Sequence, residues 1–125
     1  MTRSALTLAA LVLLAAGCGG HGPPGRTVTA PASGALIVKA QEYGFDPSTI
    51  VVRRPGTLKL MLDNRGSLAH NLKVEKDGNQ IGGTPPIRGG EQRSVTVRLA
   101  RGTYQYICTV GDHADLGMKG TLKVG

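Results

Sequence analysis

Cysteine is scarce in this chain: there are two among 125 residues, at positions 18 and 108. A CxxC dithiol needs a second cysteine in the same domain, so that kind of redox chemistry is excluded. Tryptophan is absent, and aromatic residues make up 3% of the chain. No long block of like charges occurs. The lysines and arginines are spread singly through strand-like segments, the pattern of a solvated face. No apolar run is long enough to cross a bilayer, since Ala5 to Ala16 falls well short of the roughly 20 residues required. The length admits one small domain and argues against a two-domain enzyme with a large buried pocket. With 18% charged residues and ordinary aliphatic content, the chain does not have the composition of a disordered one. What is abundant is glycine, 19 residues, with seven prolines among many Val, Leu and Thr. That mixture points to short strands and tight turns, and so to an all-β sandwich.

Residues 1 to 17 read as an export signal. After Arg3 the run from Ser4 to Gly20 carries no charge, and its apolar part has the length of a secretory h-region. The sequence Leu14-Ala15-Ala16-Gly17-Cys18 resembles the bacterial lipobox, which implies cleavage before Cys18 and lipidation of that cysteine. Removing these residues takes away one basic residue, Arg3, and leaves 14 basic against 8 acidic side chains, formally +6. The basic balance favours acidic protein partners or anionic head groups, and the exported location argues against nucleic acid. From Cys18 to Gly34 the chain is rich in Gly and Pro and reads as a tether, with His21 a solvated linker residue. The folded unit is expected from Ala35 to Gly125.

Within that unit apolar residues alternate. Leu36, Val38 and Ala40 share a face, as do Ile50 and Val52. Leu58, Leu60 and Leu62 face away from Lys59, Met61 and Asp63. Val95, Val97 and Leu99 form a further set, followed by Leu122 and Val124. Turn residues separate these runs, among them Asp46-Pro47, Pro55-Gly56, Asp77-Gly78 and Arg101-Gly102. The expectation is a Greek-key β-sandwich of about seven to eight strands with no helix. The irregular stretch from Asp77 to Glu91 is expected to be a surface crossover between the sheets.

The same period places the chemistry. Leu72 and Val74 face inward, so His70 also lies on the core side. Tyr104, Tyr106 and Cys108 align, which turns the Cys108 sulfur inward at a strand end. The loop that follows supplies His113 and Met118. One thiolate, two imidazoles and a more distant thioether form the ligand set of a blue-copper site, whose trigonal His₂Cys plane suits both copper oxidation states. Zinc matches less well, because a thioether is a poor fourth tetrahedral ligand.

At these residues the chain resembles the cupredoxins, the family of plastocyanin, azurin and amicyanin. The resemblance covers most of residues 35 to 125 and rests on GFDPSTIVVRRPGTLKLMLDN, LAHNLKV, GTYQYIC and, most specifically, the loop CTVGDHADLGMKGTLKV. It implies one type 1 copper ion held by His70, Cys108, His113 and Met118, with Asn71 tying the two ligand loops together by hydrogen bonds. The spacing Cys-x4-His-x4-Met differs from that of plastocyanin-like and azurin-like loops, and Gly111-Asp112 stands where related loops often carry Pro-Gly. Asp112 and Asp115 add negative charge near His113. Tyr104 and Tyr106 read as core aromatics and Met61 as a surface methionine.

The resulting expectation is an electron-transfer protein, not an enzyme, lipid-anchored to the extracytoplasmic or periplasmic face of a membrane. Electrons pass at the edge of His113 to redox partner proteins docked against Ala114, Leu116 and Gly117. The alternatives are a copper carrier or storage protein and a metal-free interaction module on the same fold.

Overall fold

The computed structural model describes residues 25–31 and 33–125. The expected signal segment, Cys18 and His21 lie outside the described residues. Ten strands follow one another: β1 (Thr27–Thr29), β2 (Ala35–Gln41), β3 (Gly44–Asp46), β4 (Thr49–Val52), β5 (Gly56–Asn64), β6 (Lys73–Lys76), β7 (Asn79–Gly83), β8 (Gln92–Leu99), β9 (Gly102–Ile107) and β10 (Lys119–Val124). No helix occurs among the described residues.

The strands form two sheets, one of six in the order β1-β4-β10-β9-β6-β7 and one of four in the order β3-β2-β5-β8. The expected alternation is what closes them on each other. Val38 and Ala40 of β2, Leu58, Leu60 and Leu62 of β5, and Val97 and Leu99 of β8 are buried from one side. Ile50, Val74, Tyr104, Tyr106, Leu122 and Val124 are buried from the other. Each such side chain contributes about 1.5–3 kcal/mol when removed from water, so the two inner faces dominate the stability of the sandwich. Met61 stays on the outer face of β5, partly exposed.

Three of the ten strands lie outside the expected runs. β1, β3 and β7 are three to five residues long and occupy sheet edges. At that length, with one side of the pairing open, they carry no readable period. β1 pairs in parallel with β4, Thr27 beside Thr49 and Thr29 beside Val51. The folded unit therefore begins before Ala35, and Thr27–Thr29 belong to the sheet rather than to a tether. The stretch from Asp77 to Glu91 also holds more order than a crossover loop. Asp77 (φ 51°) and Gly78 (φ 80°) make a two-residue turn with both residues left-handed, which returns the chain as β7 against β6. Only after β7 does the chain pass to β8 in the other sheet, and on the way it buries Ile87.

Strands β5 and β9 end at the same end of the sandwich, where β10 begins, so the loops that follow them and precede β10 meet there. Beneath that end Tyr106 fills the core. It is fully buried, its hydroxyl donates to the Pro47 carbonyl at 2.6 Å, and its ring lies over the cross-strand partner Gly120. Burial, with Asp46 adding to it, pushes the Tyr106 hydroxyl well above its usual range, so the group remains a donor. A methyl group at position 120 would overlap the Tyr106 ring. Gly120→Ala should destabilise the domain by about 1–3 kcal/mol through overpacking. The check is a lower urea midpoint with unchanged slope.

Candidate metal centre

Two loops bring the expected ligands together. The first follows β5. Asn64, fully buried, donates its side-chain amide to the carbonyls of Leu68 (2.9 Å) and Ile87 (3.0 Å) and accepts the Gly66 N–H at 2.9 Å. His70 and Ile87 exchange backbone hydrogen bonds at 3.1 and 2.9 Å. Both backbone polar groups of His70 are thus held by Ile87 before its ring is considered.

The second loop runs from Cys108 to Met118 and closes on itself. The Cys108 N–H donates to the Met118 carbonyl, the His113 N–H to Val110, and the Met118 N–H to His113, each at 3.1 Å. Gly111 (φ 49°) and Gly117 (φ 112°) supply the left-handed residues these turns require. The two loops are joined by Asn71, whose amide donates to Thr109 Oγ1 at 2.8 Å and whose carbonyl oxygen accepts the Thr109 N–H at 2.7 Å. This is the tie the family resemblance implies.

The donor atoms converge. His70 Nδ1 lies 3.2 Å from His113 Nδ1, and the Cys108 sulfur lies 3.9 Å from the first and 3.6 Å from the second. His70 and Cys108 are fully buried and His113 is 8% exposed. The point equidistant from the three atoms is about 2.1 Å from each, inside the range of about 2.0–2.3 Å for imidazole and thiolate bonds to a first-row metal. Met118 is also fully buried at the end of the same loop.

The donor chemistry also fits a cation. Nε2 of His70 sits 2.9 Å from a Glu42 carboxylate oxygen. The backbone N–H of Leu68 first, then His70 and the Ser67 N–H, hold that carboxyl at about 2, below its usual value, against the opposing effect of burial. A carboxylate only accepts, so Nε2 carries the proton and Nδ1 of His70 presents its lone pair toward the other two donors. A cation at that point would be met by His70, His113 and Cys108, and a soft thiolate with two imidazoles suits copper.

Neither Glu42 nor its neighbour Tyr43 stands out in the sequence. The Tyr43 ring tilts over His113 at 5.1 Å between centroids, so one turn between β2 and β3 touches both histidines. Asp112 and Asp115 are exposed beside His113, and Leu116 is half exposed. A cavity of about 680 Å³ lies at the opposite end, lined by residues such as Ala30, Arg53, Arg54 and Leu58.

Comparison with known proteins agrees with this geometry. Residues 32–125 match the family described as copper binding proteins, plastocyanin/azurin family. The chain belongs to this family. Copper is therefore the cofactor that the donor set accepts. A 47-residue stretch is 51% identical to Auracyanin-B of Chloroflexus aurantiacus, covering 37% of this chain and 20% of that protein. Among solved structures, a reduced auracyanin from Roseiflexus castenholzii superposes with a TM-score of 0.69 at 22% identity, over 76% of this chain and 99% of the other. Auracyanin A of Chloroflexus aurantiacus, described as a "blue" copper protein, gives 0.63 at 25% identity, over 80% and 100%. This cupredoxin thus spans nearly the whole of those two solved chains but only 20% of the length of the curated relative it matches.

Since Asn71 bridges the two ligand loops, Asn71→Ala should weaken copper binding about 10–100-fold, the usual penalty for losing an outer partner of a metal site. A competitive copper titration against a chelator of known affinity checks this.

Proposed function

We propose that this cupredoxin is a type 1 copper electron-transfer protein carried on the extracytoplasmic face of a membrane by a lipidated Cys18. The observation that supports the electron-transfer reading most strongly is the closed triangle of His70, Cys108 and His113, with Met118 buried beside it. Bound there, copper supplies a one-electron couple. The chain's own part is to hold its ligands still. The backbone clamp on His70, the closed turns from Cys108 to Met118 and the Asn71 bridge all oppose ligand movement when the charge of the centre changes. Water is kept away because three of the four expected ligands are fully buried.

His113 is the one ligand with an edge near solvent. Tyr43, Leu68 and Leu116, exposed by between 41% and 50%, are large apolar side chains on the three loops that build the site. They offer a docking patch for redox partner proteins around that edge. The net charge of the exported chain favours acidic partners at long range, whereas Asp112 and Asp115 make the immediate rim negative. A buried donor set held by hydrogen-bonded loops suits electron exchange. The carrier or storage alternative is less favoured, because buried ligands in hydrogen-bonded loops oppose ready transfer of the ion.

The anchor reading rests on the lipobox-like segment. No helix among the described residues is long and apolar enough to cross a membrane. The chain joins the domain at Gly25, beside Ser48 and near Asp46, which Arg26 engages at 2.8 Å. Seven residue steps separate Cys18 from Gly25, at most about 25 Å of fully extended chain. An anchor at Cys18 would keep the domain close to the surface.

Two measurements test the function. Adding Cu(II) to residues 19–125 should give an intense blue thiolate-to-copper absorption that Cys108→Ser abolishes. The blue form should also pass through repeated reduction and oxidation with a chelator present and lose no copper. Release of copper in each cycle would favour the carrier, and absence of colour the metal-free module.

A further inference from the structure

We infer that Glu42 is a positioning residue of the metal centre: its carboxylate fixes the His70 ring with Nδ1 toward the metal and sets one negative charge behind that ligand. The inference rests on the copper reading above and goes beyond it. The carboxylate is gripped from several directions. It accepts His70 Nε2 at 2.9 Å, the Leu68 N–H at 2.8 Å and the Ser67 N–H at 3.2 Å. The register explains how it gets there. β2 and β5 run parallel with Ala40 beside Asn64, and two residues further on Glu42 comes level with Gly66.

Gly66 is part of the device. A Cβ at that position would run into the Glu42 carboxyl group, so the absence of a side chain leaves the space the carboxylate occupies. Asn64 pins the same loop from below through Gly66 and Leu68. The nearest cation on the loop, Arg65, is engaged by Asp63 at 2.6 Å and does not pair with Glu42. The carboxylate oxygens are thus met by N–H donors and not by a cationic side chain of that loop.

Two consequences follow from general chemistry. A carboxylate behind a ligand imidazole fixes the tautomer and raises ligand basicity. A negative charge one ring away from the ion favours the more positive copper state, Cu(II), over Cu(I). Glu42→Gln keeps the size and one acceptor oxygen and removes the charge. Glu42→Ala removes both the charge and the hydrogen bond.

The test has a metal-free arm and a copper arm. In the metal-free protein, ¹⁵N NMR should show His70 as one tautomer protonated at Nε2; Glu42→Gln should preserve it and Glu42→Ala should mix the two. With copper, Glu42→Gln should remain blue, with the ratio of Cu(II) to Cu(I) affinity lowered about tenfold, a rise of about 59 mV for a one-electron couple. An unchanged potential in Glu42→Gln overturns the charge assignment, and an unmixed tautomer in folded Glu42→Ala overturns the positioning role. If Glu42→Ala does not fold, the wild-type spectrum decides the positioning role, which a His70 ring protonated at Nδ1 or mixed between tautomers overturns, and the Glu42→Gln potential decides the charge assignment. Failure of the wild-type protein to turn blue would instead overturn the copper reading, and the metal-free arm would still decide whether Glu42 orients His70.

Discussion

Three donor atoms, Nδ1 of His70, Nδ1 of His113 and the Cys108 sulfur, are held 3.2 to 3.9 Å apart at the closed end of the sandwich. Drawing two imidazoles and a sulfur out of water has a desolvation cost, about 1–3 kcal/mol for a polar group whose bonding is incomplete. The protein maintains the arrangement because the forces holding it act elsewhere. Hydrogen bonds such as those between Asn71 and Thr109 are worth about 0.5–1.5 kcal/mol each and cannot by themselves hold two loops against that cost. Burial of Leu72, Ile87 and Tyr106 around the same end supplies the larger share. The hydrogen bonds then decide direction: which carbonyl His70 faces, how the Cys108 loop closes, and where each ring points. Stability comes from the sandwich and geometry from the polar network, so the site can be preformed before metal arrives.

How much of this could be read from the chain alone depends on whether a residue's partner is set by period or by pairing. Cys108 and His70 were accessible because each extends an alternation already established by neighbours, Tyr104 and Tyr106 for the first, Leu72 and Val74 for the second. Period two then gives the face without knowledge of the sheet. His113 and Met118 follow Cys108 within one loop, so their proximity is local. Glu42 had no such signal. It lies 28 residues before His70, and its contact requires the parallel register of β2 on β5, which no local pattern contains. Gly66 is hidden for the same reason. One glycine among nineteen gives no sign that a carboxylate occupies its missing side chain.

The edges of the sheets show the limit in a different form. β1, β3 and β7 have three to five residues, and the burial of β7 runs from exposed to half-buried without alternating. A strand of that kind is defined by what it pairs with. The Gly/Pro-rich composition that suggested a tether up to Gly34 is real, yet Thr27, Val28 and Thr29 sit inside it and find β4 as a template. Composition averages over a window, and three residues with strand preference are lost in the average.

The two imidazoles are treated differently by the fold, and that asymmetry bears on function more than their similarity does. His70 is sealed, with its outer nitrogen on a carboxylate and its backbone locked to Ile87. Any influence it has must come from behind, through charge and orientation. His113 has no comparable charged partner; its ring is flanked by Tyr43 and retains a small exposed edge. Electronic coupling falls with distance through the intervening matter, so under the proposed function the thinly covered edge of His113 is the shorter route. One residue pair in the β2–β3 turn serves both ends of this division, Glu42 behind the sealed ring and Tyr43 against the open one. Because that turn lies outside the loop that carries Cys108, His113 and Met118, the electrostatic setting of the site can change in sequence without altering the ligands themselves.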